Sequence, residues 1–87
     1  MKAKDDDLHR HLQFYIEEAM GSVPFSVSSK WIAKRIIMIH PDVFKDRTVR
    51  NLTILVARKL TSMREQNMVE ITFQTTYGHK EYKLVVS

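Results

Sequence analysis

The apolar residues of this 87-residue chain change their spacing at Asn67. From Asp46 to Gln66 they recur every three or four residues, which is the repeat of one face of an α-helix. Over residues 69–86 most of them alternate with polar residues, as in strands that bury one face. The second half of the chain is therefore predicted to be a long helix followed by two strands. Asn67 tolerates left-handed backbone and is placed to end the helix.

The helix predicted over residues 46–66 has two faces of different character. Its apolar stripe consists of Val49, Leu52, Val56, Leu60 and Met63. Its second face consists of Arg47, Arg50, Asn51, Ile54 and Arg58. Asp46 can cap the first turn, or Thr48 can if the helix begins later. The pattern favours a recognition helix, and an amphipathic helix with a solvated basic face fits it equally well.

The two alternating segments after this helix predict a β-hairpin. Three cross-strand pairs share one register, namely Val69 with Val86, Ile71 with Leu84, and Phe73 with Tyr82. That register leaves Tyr77-Gly78 as a two-residue turn, in which glycine can take a positive φ. With Phe73 and Tyr82 on the buried face, the sheet would lack the exposed aromatic pair that stacks RNA bases, although RNA binding is not excluded.

A first helix is predicted upstream, with Asp5, Asp6 or Asp7 as its cap and Gly21 after its end. We expect the first six residues to be frayed. The apolar positions of this helix are Leu8, Leu12, Tyr15, Ile16 and Ala19. The segment 22–28 contains Pro24, which no helix interior accepts, and its alternating pattern favours a short strand or an extended crossing.

A second helix is predicted from Lys30 to about His40, capped by Ser28 or Ser29 and ended by Pro41. Its buried side is expected to contain Trp31, Ile32, Ile36 and Ile39. The helical spacing of Trp31 favours a core position over a base-stacking role. In the connection 40–45, we expect Val43 or Phe44 to be turned inward.

Positive charge is concentrated in the middle of the chain. Residues 1–27 carry a net charge of −2, residues 28–59 carry +6, and residues 60–87 are neutral. Clustered positive charge is the electrostatic pattern of a protein that binds a polyanion.

Several classes of function lack their sequence signals. The chain has no cysteine, so it has no disulfide, thiolate nucleophile or cysteine zinc site. His9 and His11 lie two residues apart and point in different directions on a helix, so we expect no metal. The absence of a glycine-rich phosphate loop, a nucleophile elbow and a His-Glu-x-x-His motif argues against an enzyme, and no cofactor is expected. No apolar run approaches a membrane span and no signal-peptide core is present, so we expect a cytoplasmic protein, nucleoid-associated if it binds DNA.

The predicted order of elements, α-β-α-α-β-β, resembles the winged-helix fold from about Leu8 to Val86. The segment 27–36, VSSKWIAKRI, resembles the positioning helix of such domains, and 48–52, TVRNL, resembles the start of their recognition helix. The segment 67–71, NMVEI, is similar to the passage into the wing. The resemblance implies a single α+β domain over 1–87, with three helices and a C-terminal β-hairpin as the wing. The connection 40–45 is longer than the tight turn of compact helix-turn-helix proteins.

The same resemblance implies an interface with double-stranded DNA. Arg47, Arg50 and Asn51 would contact base edges or phosphates, and Thr48 would bond to a phosphate. Lys30, Lys34 and Lys45 would position the domain on the DNA backbone. The remaining candidates are Arg58, two turns beyond Arg50, and Tyr77, His79 and Lys80 in the wing.

These residues favour a sequence-specific DNA-binding protein, such as a small transcriptional regulator, with helix 46–66 in the major groove. The alternative is a winged-helix module for protein–protein contact or homodimerisation. Ile54 and Leu55 support this alternative, because they offer apolar surface that a three-helix core does not fully absorb.

Overall fold

Three helices and a three-stranded antiparallel sheet form an α+β fold in the order that the sequence predicts. The computed structural model describes residues 2–85, and side chains from residue 11 onward. The elements are α1 Lys2–Gly21, β1 Val27–Ser28, α2 Ser29–Ile39, α3 Val49–Glu65, β2 Val69–Gln74 and β3 Lys80–Leu84.

The first helix begins earlier than predicted and ends where expected. Because α1 starts at Lys2, Asp5, Asp6 and Asp7 lie within its first two turns, and the prediction that one of them is the cap is wrong. At the other end, the Ser22 hydroxyl donates to the Ala19 carbonyl at 2.7 Å. Met1 and the side chain of Leu8 lie outside the described residues.

The second helix is capped as predicted. The Ser28 side chain accepts a hydrogen bond from the Trp31 amide at 3.2 Å. At the C-terminal end, the His40 amide donates to the Ile36 carbonyl at 2.8 Å, directly before Pro41. Ile39 is exposed instead of buried, because it is the last helical residue and the core ends one turn earlier.

The third helix begins at Val49, so the start predicted at Asp46 is wrong and the alternative cap, Thr48, is confirmed. The Thr48 hydroxyl accepts from the Asn51 amide at 3.0 Å. The three residues before Thr48 belong to a turn, in which the Arg47 amide donates to the Phe44 carbonyl at 3.0 Å. Asn67 follows the helix with a φ of 61°, as predicted.

The connection between α2 and α3 is anchored to α1. Phe44 is fully buried, whereas Val43 is exposed. The Tyr15 ring packs against the rings of Phe44 and His40, with centroids 5.2 and 4.8 Å away. His40 Nε2 also lies 2.6 Å from Glu18 Oε1. These contacts hold a connection that is longer than a tight turn.

The sheet has the strand order β1-β3-β2. The short strand β1 pairs with β3, with Val27 opposite Tyr82 and Ser28 opposite Glu81. Since α2 follows β1 directly, this pairing places the start of α2 beside the hairpin.

The hairpin forms, but its predicted register is wrong. Val69 lies opposite Leu84 and Ile71 opposite Tyr82, two positions from the expected partners, and Val86 lies outside the described residues. An irregularity between Ile71 and Phe73 leaves Thr72 as an extra residue, which is a β-bulge. Beyond the bulge, Phe73 lies opposite Glu81 and is 51% exposed, so its predicted burial is also wrong.

The hairpin loop has three residues instead of two. The Thr75 amide donates to the His79 carbonyl at 2.9 Å, and the Gly78 amide donates to the Thr75 carbonyl at 3.2 Å. Gly78 has a φ of 88°, the left-handed conformation in which glycine carries no steric cost. The loop is therefore 76–78, and the glycine has the role that the sequence predicts.

The core lies between the three helices and the inner face of the sheet. The buried positions predicted in α3 are confirmed for Leu52, Val56, Leu60 and Met63. Residues buried from the other elements are Leu12, Ile16, Ala19, Met20, Val27, Ile32, Ala33, Ile36, Phe44, Val69 and Tyr82.

Truncation of one buried side chain in α3 should destabilise the protein strongly. We expect Leu52→Ala to lower the free energy of unfolding by about 2–5 kcal/mol, because it removes apolar contacts and leaves a cavity. Urea denaturation followed by circular dichroism measures this. The control is Ile54→Ala on the same helix, which should change the free energy by about 0.5 kcal/mol or less. Equal effects of the two variants would contradict the orientation of α3 that buries Leu52 and exposes Ile54.

Candidate nucleic-acid interface

The outer face of α3 carries the basic and polar residues that the sequence singled out. Arg50, Asn51, Ile54 and Arg58 are all exposed, on the side opposite the buried stripe. Because an α-helix repeats every 3.6 residues, these side chains point to the solvent when the apolar stripe is buried. Two guanidinium groups and one amide thus border an isoleucine that is 48% exposed.

At the start of α3, two of the predicted site residues contact each other. Arg47 Nη1 donates to Asn51 Oδ1 at 3.0 Å. Bidentate recognition of adenine uses both the amide oxygen and the NH₂ group of asparagine. Because an amide oxygen can accept two hydrogen bonds, the contact with Arg47 is compatible with this recognition. In the observed arrangement, Arg47 orients the Asn51 amide and keeps a guanidinium beside it.

Thr48 has a structural role as the cap of α3. Its hydroxyl oxygen accepts a hydrogen bond from the Asn51 amide. The same hydroxyl can also donate a hydrogen bond to a phosphate oxygen. The free amides of the first helical turn lie beside it, and such amides favour anions. Thr48 can therefore cap the helix and contact an anion at the same time.

A cleft joins the hairpin to α2 and α3. Its volume is about 370 Å³. It is lined by Ser28, Ser29 and Lys30 at the start of α2, by Ala57 and Thr61 of α3, and by Gly78, His79, Lys80 and Tyr82 of the hairpin. The structure thus brings together three predicted DNA-binding residues from distant parts of the sequence, namely Lys30, His79 and Lys80. Lys34 on α2 and Lys45 in the connection are exposed and do not line the cleft.

The tip of the hairpin is held by local hydrogen bonds and exposes its tyrosine. The His79 amide donates to the Thr75 hydroxyl at 3.1 Å, in addition to the backbone bonds of the loop. The His79 ring lies 3.2 Å from Glu81 Oε2, and its centroid lies 6.2 Å from that of Phe73. Tyr77 is 97% exposed.

Tyr82 forms the inner wall of the cleft as a neutral phenol. Burial raises its pKa above the usual 10.0, while the positive charge of Arg64 acts in the opposite direction. Near neutral pH, the Tyr82 phenol therefore carries no negative charge that would offset the positive charges of Lys30 and Lys80.

Three serine and threonine residues of the cleft, Ser28, Ser29 and Thr61, were not predicted as site residues. Thr61 lies three residues after Arg58 and continues the outer face of α3, so the helical spacing could have identified it. Ser28 and Ser29 were predicted only as alternative caps of α2, and the pairing of β1 with β3 is what places them beside the hairpin.

A second, larger cleft adjoins the C-terminal end of α3. Its volume is about 580 Å³, and its walls are Arg64, Glu65, Asn67, Val69, Glu70, Ile71 and Val85. Two carboxylates against one guanidinium give it no preference for an anion.

Trp31 packs against the core on one side and is partly exposed on the other. Its ring centroid lies 6.0 Å from that of Phe25, and the Arg35 guanidinium carbon lies 5.8 Å from the Trp31 centroid. The predicted core position is thus confirmed for one side of the ring.

Comparison of the chain with protein-family models, with curated proteins and with solved structures gives no match. Among the residues that the structure describes, no helix has both the length and the apolar character needed to cross a membrane.

Loss of the Thr48 hydroxyl should weaken the start of α3. We expect Thr48→Ala to lower the free energy of unfolding by about 1 kcal/mol, whereas Thr48→Ser, which keeps the acceptor, should lie close to the original protein. The matched control is Thr76→Ala in the exposed hairpin loop, which should have little effect. If the two alanine variants unfolded at the same urea concentration, the capping role of Thr48 would be refuted.

Proposed function

We propose that this protein binds double-stranded DNA, with the outer face of α3 in the major groove and the hairpin tip as a wing beside it. The observation that carries the proposal is the rotation of α3, which turns Arg50, Asn51 and Arg58 outward. The major groove of B-DNA admits an α-helix, and arginine and asparagine pair with guanine and adenine edges. A small transcriptional regulator is the class of protein that fits this surface.

The residues at the start of α3 would read the bases. Arg50 can donate two hydrogen bonds to a guanine, and Asn51 can pair with adenine. Arg47, which donates to Asn51, would contact a phosphate beside them. Thr48 and the free amides of the first turn would hold a second phosphate.

The cleft beside the hairpin would hold the sugar-phosphate backbone. Lys30 and Lys80 both line it, together with the hydroxyl residues Ser29 and Thr61. Such contacts add affinity that falls with salt, and they carry little sequence information. Lys34, Lys45 and Arg58 would extend the positive field along the DNA.

The topology supports a winged-helix arrangement. The helix order and the strand order β1-β3-β2 place the hairpin beside the helix proposed for recognition. The connection from α2 to α3 is long, but the buried Phe44 and the Tyr15 ring fix it to α1. This packing gives the two helices one relative orientation, which DNA reading in a groove requires.

Contact with another protein is the second candidate function, and Ile54 favours it. An isoleucine that is 48% exposed lies at the centre of the outer face of α3, where protein interfaces concentrate apolar side chains. A second copy of the chain is one such partner. If this face is a dimer interface, the original protein should sediment as a dimer and Ile54→Asp as a monomer. If both sediment as monomers, the face is not a dimer interface.

Removal of the base-reading side chains should weaken DNA binding. We expect Arg50→Ala combined with Asn51→Ala to reduce the affinity for a preferred duplex roughly tenfold or more, because a bidentate base contact contributes about 1–3 kcal/mol. Fluorescence anisotropy with a labelled duplex, selected from a random pool by the original protein, measures this affinity.

The control for this variant is Lys83→Ala, which removes one positive charge from the exposed surface of β3. Its affinity should remain close to that of the original protein, and both variants should keep the original unfolding transition. Equal loss in the two variants would mean that only net charge matters. No loss in either would refute the role of α3 in DNA binding.

A further inference from the structure

We infer that the hairpin tip is a stacking site for an unpaired nucleobase, so that the protein prefers duplex DNA that adjoins a single-stranded segment. This inference rests on the proposed function, because it concerns the DNA that lies next to the duplex held by α3. The site consists of Tyr77, Phe73 and the His79 ring, and its ligand class is a base released from the double helix.

Two aromatic rings are exposed on one short hairpin. Tyr77 is 97% exposed and Phe73 is 51% exposed. The bulge at Thr72 is what turns Phe73 away from the core. The Thr72 hydroxyl holds this geometry, because it donates to Ser26 Oγ at 2.7 Å. The outward position of Phe73 is therefore built into the sheet.

Cationic groups adjoin these rings. The Phe73 and His79 rings pack edge to face, with their centroids 6.2 Å apart, and Lys80 follows His79 along the strand. Aromatic rings beside cationic groups are the usual components of sites for single-stranded nucleic acid, because the rings stack on bases while the cations follow the phosphates. The cleft lined by Lys30 and Lys80 adjoins the same hairpin and would hold the duplex backbone from which the unpaired strand continues.

The backbone of the hairpin tip is held in one conformation. Three hydrogen bonds close the loop around Thr75, Gly78 and His79, and Gly78 takes its positive φ without strain. Tyr77 is thus presented on a defined turn. Because the loop backbone is already ordered, less conformational entropy is lost when a base stacks on Tyr77.

The test compares two DNA molecules by fluorescence anisotropy at one salt concentration. One is a short blunt duplex, and the other is the same duplex with unpaired thymidine tails at both ends. We expect the tailed duplex to bind about tenfold more tightly, in line with the gain from stacking one base. Tyr77→Ala should remove this preference, whereas Tyr77→Phe should keep it. Tyr77→Leu should lose most of it, because leucine is apolar but has no ring to stack.

A tail of abasic sugar-phosphate units separates stacking from charge. It keeps the phosphates and removes the bases, so it should bind no more tightly than the blunt duplex beyond the small gain from added charge. Full preference for the abasic tail, an unchanged preference in Tyr77→Ala, or equal affinity for blunt and tailed DNA would each overturn the inference. The blunt duplex also tests the proposed function independently, because failure of the original protein to bind it would refute duplex binding itself.

Discussion

Burial of one stripe of α3 is the constraint on which the rest of the structure depends. Leu52, Val56, Leu60 and Met63 are fully buried, and together they determine how the helix is turned about its axis. The apolar contacts therefore decide which side chains face the solvent. Arg50, Asn51 and Arg58 are exposed because the core occupies the other side of the same helix. The chemistry of the proposed interface is in this sense a consequence of packing.

The pairing of β1 with β3 is the second constraint. Ser28 of β1 lies opposite Glu81 of β3. The helix α2 begins at the residue after Ser28, and Lys80 is the residue before Glu81. Lys30 and Lys80 come from positions fifty residues apart in the chain and meet because this two-residue strand fixes the register. One short strand thus places the start of α2 beside the hairpin, and both line the cleft with Ala57 and Thr61 of α3.

The sequence contained enough information to predict the elements and the two faces of α3, since both follow from local spacing. The caps at Ser28 and Thr48 and the left-handed Asn67 were also within reach, because each depends on a few neighbouring residues. The register of the hairpin could not be predicted in this way. The loop residues Thr76, Tyr77 and Gly78 suit a two-residue or a three-residue turn. The bulge at Thr72 is held by Ser26, a residue 46 positions away, which strand alternation cannot reveal. The contact between Arg47 and Asn51 has the i, i+4 spacing of one helix face and was also within reach, although Arg47 lies in the turn before the helix.

The outer face of α3 and the hairpin tip are proposed to form one DNA-binding surface. A titration of the isotope-labelled protein with a mixed-sequence duplex, followed through its amide chemical shifts at two salt concentrations, tests this proposal directly. We expect shifts that concentrate on residues 45–58 and 77–80 and that weaken as salt rises. Shifts confined to α1, or no shifts even at low salt, would refute DNA binding by this surface and would assign the basic face to a partner other than DNA.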